Sequence, residues 1–230
     1  MYKIDNKVVT YEDLKVCQNY KDSNSYPVDY PRVDDLWVKH DSLCKWSSHL
    51  MMFDQVKQPG FKVVDLGVGD SPVPHIISNS GYDVVGVDLY RVNHPYQSLV
   101  VMVLKDAMEF LKDYEDNSID VFLDGCAVTH FNPEYDELVK NKGWESVCKA
   151  VYRVLKPGGY FISSSDIKLN EESINGEFII PEDIVKIAKS CGLELYSDFC
   201  YDRENAINRY ESSDPGTLGV ANFLFTKPTK

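Results

Sequence analysis

The sequence lacks three features that would each indicate a particular class of protein. The sequence contains no run of 18 apolar residues, the length expected of a segment that spans a membrane. The N-terminal stretch MYKIDNKVVTYEDLK lacks the apolar core of a secretory signal. The six cysteines include no C-x-x-C pair, so the pattern supports neither a zinc site nor a disulfide framework. We expect a reduced, cytoplasmic protein without a metal site.

Basic residues are also scarce. The chain has 24 Lys and Arg against 36 Asp and Glu, which gives a formal net charge of −12. Phosphate backbones and anionic lipids bind proteins through clustered basic side chains. We therefore expect neither nucleic acid nor a membrane surface as a partner, and the composition leaves the oligomeric state open.

The chain contains seven apolar runs of strand length. Five of them alternate with stretches of helical period, which is typical of βαβ units, and they are rich in Val, Ile and Phe, as in strands buried on both faces. The last two are joined by a polar segment without helical period, so we expect them to pair antiparallel. The predicted fold is α/β: a seven-stranded, mostly parallel sheet with an antiparallel last strand and helices on both faces. The predicted strands are 61–67, 82–89, 99–105, 119–125, 160–165, 193–201 and 219–227.

The chain length and the composition of the N-terminal segment predict one domain with an N-terminal extension. A chain of 230 residues can bury one sizeable core. Residues 1–56 combine a polar, proline-containing stretch with an apolar pattern compatible with one or two helices, and we predict that they form a helical and irregular cap. The core is predicted over residues 57–230.

The stretch VVDLGVGDSP, residues 63–72, ends the first predicted strand. Gly67 and Gly69 permit a sharp turn and leave no Cβ between the backbone and a ligand. Ser71 is a good helix N-cap, and Pro72 suits a first helical position. Such a turn presents free N–H groups at a helix start, where phosphates and carboxylates bind.

Asp88 stands at the end of the second strand, about 20 residues after the glycine turn. At this offset an acidic side chain typically accepts hydrogen bonds from the ribose hydroxyls of a nucleotide-like cofactor. The glycine turn and the strand-end acid together predict a cofactor site of this kind.

Four places in the sequence together resemble the class I S-adenosylmethionine-dependent methyltransferases, from about residue 55 onwards. VVDLGVGDSP is similar to the family's first motif, an acidic residue followed by G-x-G, and VVGVDL is similar to its second. KDAMEF is similar to the segment whose acid meets the adenine amino group. DNSIDVFLDGCAVTHF, followed by VYRVLKPGGYFI, resembles the fourth strand and K-P-G-G turn of members that methylate small molecules.

The resemblance implies a Rossmann-like fold, S-adenosylmethionine as cofactor and a set of cofactor-binding residues. Asp65 would orient the glycine loop and the cofactor ammonium, Asp88 would hold the ribose and Asp106 the adenine, while the two glycines would admit the methionine part. Asp65 could instead only brace the loop, and Asp106 could also cap the following helix. The implied cofactor set is Asp65, Gly67, Gly69, Asp88, Leu89, Asp106, Ala107, Met108 and Asp124.

Two other functions remain as alternatives. An NAD-dependent oxidoreductase also uses a glycine turn and a strand-end acid, but Pro72 stands where G-x-G-x-x-G needs its third glycine. A non-catalytic S-adenosylmethionine-binding module would keep the fold without the chemistry. The methyltransferase family often has a third glycine where this sequence has Ser71, which is the one departure from its motif.

The resemblance implies transfer of the methyl group to an O, N or S atom of the acceptor. The acidic charge and the K-P-G-G turn favour a small molecule over a protein. His130, after the fourth strand, is the candidate catalytic base and a candidate substrate contact, because imidazole titrates near neutrality; it could also serve only in packing. Tyr26, Tyr30 and Asp166 are further substrate-binding candidates on position alone.

Overall fold

The five strands predicted between residues 61 and 165 all form in the computed structural model, and all run parallel. The structure describes residues 4–24, 36–90, 98–131, 137–169, 178–207 and 218–229, with only the backbone described at 36–42 and 137–142. The sheet order places β2 between β3 and β5, with β4 and β6 outside them. These strands are β2 Lys62–Leu66, β3 Asp83–Asp88, β4 Val101–Leu104, β5 Ile119–Asp124 and β6 Leu155–Lys168.

The predicted antiparallel end of the sheet is confirmed. β8, Leu218–Thr226, pairs antiparallel with β6 along its whole length, and β7, Glu194–Leu195, pairs antiparallel with the other edge of β8. The predicted strand over 193–201 is reduced to these two residues.

An eighth strand explains why β7 is short and corrects the predicted count of seven. β1, Lys7–Val8, pairs antiparallel with Asn222 and Ala221 of β8. It therefore occupies the part of the β8 edge that a longer β7 would need. The division of the chain at residues 56 and 57 stays a prediction, but a strand of the N-terminal segment completes the sheet.

Helices cover both faces of the sheet, as predicted. The side chains of each central strand alternate between two apolar clusters: Val64 and Phe122 face one, and Val63 and Val121 face the other. The first cluster receives the last three helices and the second receives the first three. The helices are α1 Tyr11–Asn24, α2 Leu36–Val56, α3 Val73–Asn79, α4 Ala107–Asp113, α5 Glu137–Val154 and α6 Pro181–Ser190.

Within the described ranges, none of these helices is long and apolar enough to cross a membrane.

Candidate functional site

A cavity of about 630 Å³ lies at the carboxyl ends of the parallel strands. Its volume falls within the ~300–1,000 Å³ typical of small-molecule sites, and its place is where open α/β sheets bind ligands. The half beside β3 and β4 is lined by Gly67, Asp88, Leu89, Lys105, Asp106 and Ala107. The half beside β5 and β6 is lined by Lys45, Gly125, Cys126, His130, Phe131 and Asp166.

The glycine turn after β2 forms the floor between the two halves. Gly67 has φ +72° and Gly69 has φ +49°, a region that favours glycine. A Cβ on Gly67 would lie 2.2 Å from the Cβ of Ala127, closer than two carbon atoms can pack. The backbone N–H groups of Gly67 and Val68 donate to the Val87 carbonyl, which fixes the turn against β3.

The helix after the turn starts later than predicted. α3 begins at Val73, and Pro72 occupies the cap position with αR angles. The Ser71 hydroxyl accepts a hydrogen bond from the Val73 N–H at 3.3 Å. Ser71 was predicted as the N-cap of this helix, but it lies one residue before the N-cap and still accepts a hydrogen bond from the first helical residue.

Asp88 lies at the end of β3 and lines the cavity, as predicted. Its carboxylate accepts the Gly69 N–H at 2.8 Å and the Tyr90 N–H at 3.0 Å. One side chain thus ties the glycine turn to the end of β3. Each carboxylate oxygen has a second lone pair, so Asp88 retains the capacity to accept hydrogen bonds from a ligand.

Asp106 caps α4 and lines the cavity. One carboxylate oxygen accepts the N–H groups of Met108 at 2.9 Å and Glu109 at 3.0 Å. Ala107 lies in the cavity wall beside it. Met108 was predicted to contact the cofactor through its backbone, but its N–H is already donated to Asp106, and Met108 is not among the lining residues.

Asp65 and Asp124 lie beneath the cavity rather than in its wall. Asp65 is 3% exposed and does not line the cavity. Asp124 is fully buried and accepts hydrogen bonds from the Ser163 hydroxyl and from the N–H groups of Ala127 and Val128. In this structure Asp124 anchors the loop after β5 and does not line the cavity, and its contact with the cofactor stays a prediction.

These acids form a cluster that favours a positive ligand. Burial, and then the nearby charges of Asp124 and Asp88, raise the pKa of Asp65 well above its usual range. Burial also raises the pKa of Asp124 to about 6, although hydrogen bonds from Ser163, Val128 and Ala127 oppose that shift. A cation in the cavity would lower the electrostatic cost of ionising these carboxyls.

His49 lies behind the floor of the cavity and was not predicted as part of the site. Burial lowers the pKa of His49 to about 3, although a hydrogen bond with the Asp124 backbone opposes that shift. The ring is therefore neutral. Its Cε1 atom lies 3.6 Å from the position of a Cβ on Gly125, which lines the cavity. His49 therefore supports the loop after β5 without adding charge.

The loop after β5 has a strained backbone where it borders the cavity. Cys126 has φ +72°, which is unusual for a residue with a side chain. Its buried sulfur accepts the Asp166 N–H at 3.3 Å and lies 3.4 Å from the Thr129 hydroxyl. Burial raises the pKa of this thiol to about 12, so it remains uncharged.

The acceptor-site candidates are brought together only in part. His130 is exposed at the end of a short 3-10 helix, Val128–His130, and lines the cavity rim, while Asp166 is buried in the wall. Tyr26 and Tyr30 lie outside the described residues. Gly69 does not line the cavity, but its N–H donates a hydrogen bond to the Asp88 carboxylate, which does.

The sequence analysis missed Lys45, which lies in the wall beside Asp166. Its ammonium is 2.9 Å from the Asp166 carboxylate. The signal available in the sequence was a lysine set within the apolar pattern LCKW of α2, on a helix otherwise expected to pack against the sheet.

Residues 64–163 match a protein family described as a methyltransferase domain. A solved TehB-like SAM-dependent methyltransferase from Corynebacterium glutamicum superposes on 94% of this chain and 98% of its own, with TM-score 0.53 and 18% identity. Residues 64–163 therefore match a methyltransferase domain, and most of the chain shares the fold of a solved SAM-dependent methyltransferase.

Two further matches show how far the likeness extends. The sterol 24-C-methyltransferase of Yarrowia lipolytica is 30% identical over 122 residues, which is 49% of this chain but only 29% of that protein. The solved [4+2]-cyclase SpnF superposes along the whole of both chains with TM-score 0.60 and 13% identity. At these identities the structural likenesses show a shared fold.

The cavity residues fit the cofactor of this family. S-adenosylmethionine carries a positive sulfonium and a positive ammonium, and the carboxyls of Asp65, Asp88 and Asp124 cluster at and beneath the floor of the cavity. Gly67 also lines the cavity, and its missing Cβ lets the loop that carries Ala127 pack against the turn.

Proposed function

We propose that this methyltransferase transfers the methyl group of S-adenosylmethionine to a small-molecule acceptor in the described cavity. The observation that carries the proposal is the arrangement of the cavity along the strand ends. The acidic groups at the ends of β3 and β4 line one half of it, Asp65 of β2 lies beneath it, and a different set of charged groups lines the half beside β5 and β6.

The order of the strands supports an orientation for the cofactor. Asp106 and Ala107 would contact the adenine beside β4, and Asp88 would accept hydrogen bonds from the ribose hydroxyls beside β3. The methionine part would cross the glycine turn, with its ammonium above Asp65. The methyl group would then point into the half beside β5 and β6.

Methyl transfer requires the chain mainly to position the reactants and to exclude water from them. The bound cofactor supplies an activated methyl group with a neutral thioether as leaving group. The walls would hold an acceptor atom in line with that methyl and exclude water. Two titratable side chains in this half could take a proton from the acceptor: His130, the base predicted from the sequence, and Asp166.

A small acceptor is favoured by the shape and charge of the chain. The cavity has the volume of a small-molecule site, and a net charge of −12 argues against nucleic acid. An acceptor protein and a non-catalytic cofactor-binding module are the competing functions.

Calorimetric titration separates the competing cofactors. We expect S-adenosylmethionine and S-adenosylhomocysteine to bind with one site per chain and NAD to give no heat of binding. Binding of NAD without a response to S-adenosylmethionine would contradict the proposal. Incubation of the protein with methyl-labelled S-adenosylmethionine and a metabolite extract then tests transfer, with label expected in the small-molecule fraction.

A further inference from the structure

The Lys45–Asp166 ion pair is the feature of the cavity that the cofactor does not explain. The Lys45 ammonium lies 2.9 Å from the Asp166 carboxylate, and the two side chains are 8% and 3% exposed. Both line the half of the cavity beside β5 and β6. Buried ion pairs are weak evidence for stability, because apolar residues of similar volume often stabilise as much or more. Its place in a ligand cavity therefore indicates a role in binding or chemistry.

The surroundings of the pair hold it in one geometry. Asp166 lies on β6, and its own N–H is donated to the buried sulfur of Cys126 at 3.3 Å. Lys45 lies on α2, a helix that packs its apolar side chains against the sheet. Among the described titratable groups, the thiol of Cys126 is uncharged and His130 lies at the exposed rim. The Lys45 charge also acts on the Asp124 carboxyl and on the neutral ring of His49, both of which lie beneath the wall. The buried part of this wall thus presents one positive and one negative group side by side.

This pair of charges selects among the chemical groups that could receive a methyl. A hydroxyl both donates and accepts hydrogen bonds, whereas an ammonium group only donates and a carboxylate only accepts. A protonated amine has no lone pair to receive a methyl, and a neutral amine becomes positive as it is methylated, which the nearby Lys45 ammonium disfavours. A carboxylate would be repelled by Asp166. A neutral hydroxyl can donate to Asp166 and accept from Lys45 at the same time.

We propose that the Lys45–Asp166 pair binds the reacting hydroxyl of the acceptor, which makes this chain an O-methyltransferase of small alcohols or phenols. The inference rests on the proposed function. In the step, the acceptor oxygen forms a bond to the methyl carbon while the carbon–sulfur bond breaks, and the sulfur keeps that electron pair. The hydroxyl proton passes to the Asp166 carboxylate and then to solvent. Lys45 stabilises the negative charge that develops on the oxygen.

Three sets of simple acceptors test this assignment: phenol and benzyl alcohol, benzylamine, and benzoic acid, each with methyl-labelled S-adenosylmethionine and alongside a metabolite extract. Label is expected on hydroxyl oxygens. Asp166→Asn keeps the side-chain shape and should lower turnover by about 10²-fold or more, the range for loss of a general base. S-adenosylhomocysteine affinity should stay within about threefold, since the pair lies away from the cofactor contacts.

Lys45→Met gives a second, independent test that leaves Asp166 in place. Loss of the ammonium should move the acidic limb of the pH–turnover profile to higher pH, because a nearby positive charge favours the ionised carboxylate. Lys45→Arg should restore the wild-type position of that limb. Lys7→Met is the matched control, because it removes an ammonium 3.0 Å from Asp13 in a pair outside the cavity wall, and it should leave the limb unmoved.

The inference and the proposed function fail in different ways. Absence of S-adenosylmethionine and S-adenosylhomocysteine binding would remove the proposed function itself. With cofactor binding intact, the O-methyltransferase inference is overturned by methyl transfer to nitrogen, sulfur, carbon or a carboxylate, or by the absence of transfer to any hydroxyl. An unshifted acidic limb in Lys45→Met, or Asp166→Asn turnover within threefold of wild type, also overturns it.

Discussion

Asp88 offers the sharpest test of the cofactor site, because a single carboxylate serves both the loop and the proposed ribose contact. Replacing it with Ala removes the acceptor of the Gly69 and Tyr90 N–H groups, at 2.8 and 3.0 Å, together with the hydrogen bonds proposed to the ribose. Hydrogen bonds to a charged group are worth about 1.5–3 kcal/mol. At about 1.4 kcal/mol per tenfold, S-adenosylhomocysteine should bind roughly 10- to 150-fold more weakly.

Calorimetric titration with S-adenosylhomocysteine measures this change directly. Asp88→Asn should weaken binding less than Asp88→Ala, because the amide keeps one acceptor oxygen. Asp83→Ala is the matched control: it removes an exposed carboxylate from the opposite end of the same strand and should leave Kd unchanged. A Kd for Asp88→Ala within threefold of wild type, with an unchanged melting temperature, would refute the ribose assignment.

Three further predictions concern the turn, the buried acid and the rim. Gly67→Ala should destabilise the fold by at least about 1–3 kcal/mol in a urea titration, because it combines φ +72° with a Cβ 2.2 Å from that of Ala127. Asp124→Asn should gain up to about 3 kcal/mol of unfolding free energy relative to wild type between pH 4 and pH 7, since the folded pKa is about 6. His130→Ala should lower turnover by less than about tenfold, because its side chain is exposed.

The sign of the Asp124 prediction follows from proton uptake. A raised pKa means that the folded protein holds a proton which the unfolded chain has already lost above about pH 4. The wild type therefore loses stability as pH rises through about 6, and an amide that cannot ionise does not. Parallel pH dependence of the two proteins would contradict the burial argument.

Controls separate these effects from general damage. Gly69→Ala, at φ +49° with open space around its Cβ position, should cost less stability than Gly67→Ala. An equal cost at both positions would show that the Ala127 contact is not decisive. A fall of 10²-fold or more in His130→Ala, with S-adenosylhomocysteine affinity retained, would return the role of base to His130.

The parallel part of the sheet could be predicted because its strands are buried on both faces. The segments KVVDL and DVFLD each carry adjacent apolar residues, and the alternation of Val63 and Val64 between two clusters shows why. β1 could not be predicted, because two residues have no period to read. Its pairing with β8 depends on a contact between residues more than 200 positions apart.

The two halves of the cavity also differ in how many of their residues could be predicted from local sequence. Asp88 and Asp106 stand at fixed offsets from strands and could be assigned from local sequence alone. Asp124 also ends a strand, but whether its carboxyl reaches the cavity depends on Ser163 and on the loop after β5. The lysine within LCKW is visible in the sequence, but Lys45 reaches the wall because α2 packs over the end of β6, a contact that local sequence does not indicate.

The central claim is that this cavity binds S-adenosylmethionine and that the chain transfers its methyl group. The most direct measurement is the formation of S-adenosylhomocysteine and of labelled product from methyl-labelled S-adenosylmethionine and a metabolite extract, with wild type and Asp88→Ala compared at one cofactor concentration. The account predicts equal amounts of S-adenosylhomocysteine and labelled small molecule, and a strong loss of both in the variant. No S-adenosylhomocysteine above the protein-free control, or equal formation by both proteins, would contradict it.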